Sequence, residues 1–167
     1  MSGLWEFGDV DTFTTGTLGT PGQRTFFVQV RAGDTRVTVK CEKQQVSALS
    51  DYLGRLLTEL PAPEEMPLGE SMELVQPQPA FTVGPIGLAY DQELDRFVVM
   101  LEELVEDPEE ESVGEPPDPG RLRVQLTRSQ AAAFCARAET VVAAGRPTCL
   151  FCGQPMDPAG HSCPRMN

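Results

Sequence analysis

The sequence predicts an α+β protein built from a repeated strand-strand-strand-helix unit, forming an antiparallel sheet of about six strands with about two helices and a cysteine-rich C-terminal tail. Three observations predict it. The seven-residue stretch "FTTGTLG" at 13–19 recurs as "FTVGPIG" at 81–87, with five positions identical or exchanging one aliphatic residue for another. The segment "RVTVKCEKQQVSALSDYLGRLL" from Arg36 aligns without gaps onto "RLRVQLTRSQAAAFCARAETVV" from Arg121, so that Arg36, Val39, Gln45 and Ala48 face Arg121, Val124, Gln130 and Ala133. In both segments the hydrophobic period changes at the same place, from two residues to helical spacing.

Taken in order, 13–19 is the first strand, and "RTFFVQVR" from Arg24, with its alternation, is the second, running over 25–31. The turn "TPGQ" before it and "AGD" after it supply hairpin connections. Val37, Val39 and Cys41 alternate with Arg36, Thr38 and Lys40 in a third strand with one wet face. Val46, Leu49, Leu53, Leu56 and Leu57 then form one apolar helical stripe.

The second copy repeats this order over 81–87, 96–104 and 121–126, followed by a helix with the stripe Ala131, Phe134, Ala138, Val141 and Val142. That helix starts at Thr127 or Ser129 as N-cap and stops at Gly145, with Pro147 preventing continuation. The organisation expected is a first copy over 1–60, a Pro-rich acidic linker over 61–80, a second copy over 81–145 carrying an acidic loop at 106–120, and a tail over 146–167. The two copies share one core with pseudo-twofold symmetry.

The net charge of −12 is unevenly spread. Residues 102–118 carry nine carboxylates and 61–80 carry four, which leaves 12 acids against 13 bases elsewhere. The acidity therefore belongs to two Pro-rich connections. From Pro119 onward six arginines stand against Glu139 and Asp157.

The N-terminal "MSGLWEFGDVD" has neither a basic start nor an apolar run, and no stretch of about 18 apolar residues occurs. Four of the five cysteines, Cys135 among them, fall near the C-terminus, unlike a scattered disulfide framework. A cytoplasmic protein without membrane contact is expected.

The tail "CLFCGQPMDPAGHSC" places Cys149 and Cys152 in a C-x2-C knuckle followed by Gly153, and the chain's only histidine, His161, with Cys163 beyond the turn-forming "DPAG". Three thiolates and an imidazole make a closed tetrahedral zinc site with no position for water, so the expected role is a structural staple rather than a catalyst. A redox pair is the competing reading of Cys149 and Cys152. Cys41 and Cys135 sit at inward strand and helix positions as small buried residues.

The combination of "GTLGTPGQRTFFVQV", "CEKQQV", "AGRPTCLFCGQPMDP" and "GHSCPRMN" resembles a family of bacterial proteins, frequent in actinobacteria, catalogued as a domain of unknown function. The likeness spans nearly the whole chain. It implies that the tail is a genuine element and carries over no activity.

Catalysis finds little support in these residues. "GTLGTPGQRT" lacks the Gly-Lys-Ser/Thr ending of a phosphate loop and feeds a strand. With His161 on zinc no Ser-His or Cys-His pair remains, which leaves loop carboxylates as the means of a hydrolase, the least favoured reading. Binding is better supported. The leading expectation is a non-catalytic module that contacts another protein. The alternative is RNA or single-stranded DNA on a cationic surface made by Arg36, Lys40, Arg121 and Arg123 on outward strand faces, with Arg137, Arg146 and Arg165 on the second helix and tail.

Overall fold

A computed structural model describes residues 3–20, 22–62, 72–105 and 118–144. The strands are β1 (Leu4–Phe7), β2 (Thr12–Leu18), β3 (Thr25–Ala32), β4 (Thr35–Cys41), β5 (Pro79–Asp91), β6 (Arg96–Glu103) and β7 (Arg121–Leu126). Helix α1 (Lys43–Thr58) follows β4 and α2 (Arg128–Ala143) follows β7. The fold is α+β, as expected from the change of hydrophobic period.

All seven strands join one sheet in the order β1-β7-β6-β5-β4-β3-β2. Pairing is antiparallel except at β1 with β7 and β4 with β5. Two features correct the sequence reading. The sheet gains a seventh strand, β1, which was not anticipated. The expected pseudo-twofold is also absent: β2-β3-β4 and β5-β6-β7 run consecutively along the sheet with β4 parallel to β5. A twofold would have reversed the order of one half.

One face of the sheet carries the core. Val28, Val30, Val37 and Val39 from the first half and Phe97, Val99, Leu101, Leu122 and Val124 from the second lie in one buried cluster with Val46, Leu49 and Leu53 of α1. The helices are locked by reciprocal capping: Gln45 Oε1 accepts from Glu42 N at 2.8 Å, and Gln130 Oε1 from Thr127 N at 3.0 Å. At the second helix Thr127 Oγ1 also accepts from Gln130 N at 3.1 Å, which settles Thr127 as the N-cap.

Against the sheet, helix α2 packs chiefly on β2 and only lightly on its own strands β6 and β7. It runs against β2 at the far edge of the sheet, where Phe134 meets Phe13 with ring centroids 4.8 Å apart. Gln130 Nε2 donates to Val10 O at 2.6 Å and Arg137 Nε to Thr15 O at 3.0 Å. The last contact occupies a carbonyl of the edge strand, which blocks further strand addition there.

Within the expected Pro-rich acidic linker over 61–80, the described residues 72–76 are docked on the sheet. Residues 72–76 cross the outer face of β2-β3-β4, opposite the helices. Thr14 Oγ1 donates to Met72 O, Arg31 Nη1 to Glu73 O at 3.0 Å, and Gln29 Nε2 to Val75 O at 2.8 Å. Gly16 leaves room for Leu74, whose Cγ would lie 2.6 Å from a Cβ built at position 16. The middle of the first half of the sheet is therefore covered on both faces, while Arg36 and Lys40 on β4 stay exposed.

Candidate functional site

The expected zinc ligands Cys149, Cys152, His161 and Cys163 lie outside the described residues, as do Arg146 and Arg165. Most of the acidic loop, 106–117, lies outside them too. Among the described residues no group of three or more His, Cys, Asp or Glu side chains could hold a metal.

The other thiols are held neutral. Burial pushes the Cys41 thiol up to about 12, and burial raises Cys135, whose Sγ donates to Ser50 O at 3.4 Å. Both fit the reading as small core residues and not as nucleophiles.

The four described cations of the expected binding surface do share the outer face, because Val37, Val39 and Cys41 on β4 and Leu122, Val124 and Leu126 on β7 all point into the core. They are not equivalent. Arg121 Nη2 pairs with Glu102 Oε1 at 2.7 Å, and Arg36 Nη2 reaches Gln76 Oε1 at 3.4 Å. Lys40 and Arg123 make no ion pair among the described residues. The two groups stand three strands apart, roughly 14 Å at ordinary strand spacing. Arg137, also expected on this surface, instead binds the Thr15 carbonyl.

A polar junction joins three distant pieces of chain at the hairpin between β5 and β6. Tyr90 Oη donates to Asp95 Oδ1 at 2.5 Å, and Arg128 Nε lies 3.2 Å from Asp95 Oδ2. Arg128 Nη1 also donates to Pro61 O at 2.6 Å, tying the exit of α1 to the start of α2. The hydrogen bond from Tyr90 and the charge of Arg128 hold the Asp95 carboxyl below its ordinary range, while the same bond raises the Tyr90 hydroxyl. Each polar group of this junction is spent on another, so it reads as a fastening.

A protein-family model described as a protein of unknown function, DUF3090, matches residues 5–163. The chain belongs to this family. The match runs over both sheet halves and into the cysteine-rich tail as far as Cys163. No curated protein and no solved structure matches the chain. No helix among the described residues is long and apolar enough to cross a membrane.

Two features escaped the sequence reading. One is the outer face of β6. Its residues Phe97, Val98, Val99, Met100 and Leu101 are a continuous apolar run, the signature of a strand covered on both sides. Phe97, Val99 and Leu101 are fully buried beneath the sheet, while Val98 and Met100 on the other face are only half-buried. The run was visible, but its meaning depends on β6 being the central strand of a half whose outer face has no cover among the described residues. The second feature is a cavity at the end of β3 and β4 lined by Arg24, Lys40 and Lys43. Lys40 alone had been singled out.

Proposed function

We propose that this DUF3090 protein is a non-catalytic interaction module that binds another protein through the outer face of β5-β6-β7, with its C-terminal tail held by one structural zinc. The observation that carries the reading is the contrast between the sheet halves. On the first half, residues 72–76 cover Gln29 until it is wholly buried. On the second, Val98 and Met100 have no such cover among the described residues, although their strand has the composition of a two-sided interior. Apolar side chains in the middle of a sheet face, bordered by Glu6, Glu102, Arg121 and Arg123, have the layout of an interface centre with a charged rim.

The nucleic-acid reading is weakened on the same face, since Arg36 and Arg121 are already engaged and the remaining cations flank an apolar centre. Hydrolysis by loop carboxylates has no arrangement of described residues in its favour.

Site-specific photocrosslinking in cells tests the interface. A photoreactive residue at Met100 or Val98 is expected to give the same intermolecular adduct, and one at Tyr52, 60% exposed on α1, is expected to give none. Adducts that join Met100 to the chain's own tail would remove the interface reading.

The zinc is proposed from donor chemistry. Three soft thiolates and one imidazole match a closed tetrahedral Zn2+ site, and all other polar chemistry of such a site is used up by coordination. Elemental analysis of untagged protein is expected to find one zinc per chain, absent from Cys149→Ser and His161→Ala. Both variants should still melt cooperatively, because the core described above contains none of these residues. Iron, or no metal, would count against the staple.

A further inference from the structure

The cavity at the end of β3 and β4 has a volume of about 630 Å3, inside the range of about 300–1,000 Å3 usual for small-molecule sites. Its charge is unusual for this chain. Arg24, Lys40 and Lys43 line it against a single carboxylate, Glu42, in a protein whose net charge is −12. None of the three cations makes an ion pair among the described residues, where Glu102 and Asp95 take Arg121 and Arg128 instead. Three cations lining one cavity against one carboxylate leave it net positive, which favours an entering anion.

The walls are built rather than incidental. The pairing of Phe26 with Cys41 across β3 and β4 brings Arg24, just before β3, beside Lys40 and Lys43, which flank the start of α1. Arg24 is held in place: its Nη1 donates to Val141 O at 2.9 Å, and its guanidinium carbon lies 5.0 Å from the centre of the Phe26 ring. That bond also occupies a carbonyl in the last turn of α2, whose partial negative charge would otherwise face an entering anion. The remaining guanidinium nitrogens have no hydrogen-bond partner among the described residues and can donate as a fork.

On the opposite wall α1 begins, and the N–H groups of Lys43 and Gln44 have no intrahelical acceptor, which adds a weak positive field. Cys41, in the same wall, stays a neutral thiol because burial pushes it up to about 12, so it adds no negative charge to the cavity. Phe26, Val142 and Ala143 give the cavity an apolar side. A bare inorganic ion would leave that side uncovered.

We infer that this cavity binds the phosphate group of a small phosphorylated organic molecule, with Arg24, Lys40 and Lys43 as its anion clamp and Val142 and Ala143 against the organic part. The site is separate from the protein-binding face of β5-β6-β7, so either reading can fail without the other.

The test is amide NMR of the full-length protein titrated with AMP, and with ribose as the uncharged comparison. AMP is expected to shift the amides of Cys41, Lys43, Gln44 and Val142 saturably, and ribose to leave them in place. Arg24→Gln and the double variant Lys40→Gln with Lys43→Gln should each weaken AMP binding about tenfold or more. Arg121→Gln with Arg123→Gln should leave it unchanged. Because those side chains are at least partly exposed, the substituted proteins should stay folded, which retained peak dispersion would verify.

Three results would overturn the inference. The first is the absence of saturable shifts at these amides. The second is an equal loss in the Arg121 and Arg123 variant, which would mean diffuse charge attraction. The third is a wild type that does not bind AMP, together with a variant in which Glu106, Asp107, Glu109, Glu110 and Glu111 are changed to Gln and the same amides shift without ligand. That would make the chain's own carboxylates the occupant.

Discussion

Phe134→Ala is expected to cost about 3–5 kcal/mol of folding stability, the usual range for emptying a buried phenylalanine site. Phe134 is fully buried on α2, and its ring lies 4.8 Å from that of Phe13, itself 1% exposed on β2. These two rings join the last described element to a strand near the start of the chain. The strand order makes this contact matter more than its area, because β7, which feeds α2, lies five strands away from β2. Within the core face, α2 is a brace across the sheet, and Phe134 is the side chain by which it grips the far edge. Neighbouring polar bonds cannot take over the role: Arg137 to Thr15 and Gln130 to Val10 are part-buried and exchange with water on release. Urea denaturation followed by circular dichroism would measure the loss. Phe134→Leu, which keeps most of the volume, should cost less than half as much. A loss below about 1 kcal/mol for the alanine variant would show that α2 holds β2 by other means.

What could be read from the sequence was local, and what could not be read was the partner of each element. The alternation around Val37 and Val124 and the helical stripe from Val46 specify their own backbone through side-chain burial, and they were legible. The cap of the second helix was legible to within Thr127 or Ser129 for the same reason, since donor and acceptor are three residues apart. Strand β1 was missed because Leu4–Phe7 has too few residues to show a period, and it exists through pairing with β7, more than a hundred residues away. Gly3 O accepts from Arg121 N at 2.9 Å to begin that ladder. The twofold failed on the same ground: similar halves constrain what each half looks like, not which edges meet. Arg24, Lys40 and Lys43 become neighbours only once Phe26 pairs with Cys41, so no spacing in the sequence marks them as a group.

Segment 61–80, whose prolines and acids read as a linker, contains a docked stretch that the sequence did not mark. The bonds that Thr14, Gln29 and Arg31 make to residues 72–75 all go to backbone atoms of the segment, which composition cannot reveal. The clue was on the other partner. Gln29 occupies an outward strand position where a wet face predicts exposure, yet it is fully buried. Its amide acts as a short piece of strand, donating to Val75 O at 2.8 Å and accepting from Val75 N at 3.0 Å, while Nε2 also donates to Thr38 Oγ1 at 2.9 Å.

Gln29→Leu is expected to destabilise the protein by about 3 kcal/mol, although leucine is of similar size and apolar. If the segment stays docked, the N–H and C=O of Val75 lose their partner, at roughly 1–3 kcal/mol for each group left dry. If it peels away, both groups regain water, and the cost becomes the lost burial of Met72, 6% exposed, and of Leu74 against Gly16. The two routes differ in hydrogen exchange: a docked segment keeps the Val75 amide slow to exchange, and a released one makes it fast. Release is the expected outcome, because water is within reach of this surface segment.

Gly16→Val approaches the same segment from the other side, driving a side chain to where Leu74 now packs. If residues 72–76 dock as a unit, the first substitution releases the segment and the second has little left to disturb. The double variant should then fall well short of the sum of the two single losses. Full additivity, or a Val75 amide that stays protected in Gln29→Leu, would mean that the strap is held residue by residue and that Gln29 does not fasten it.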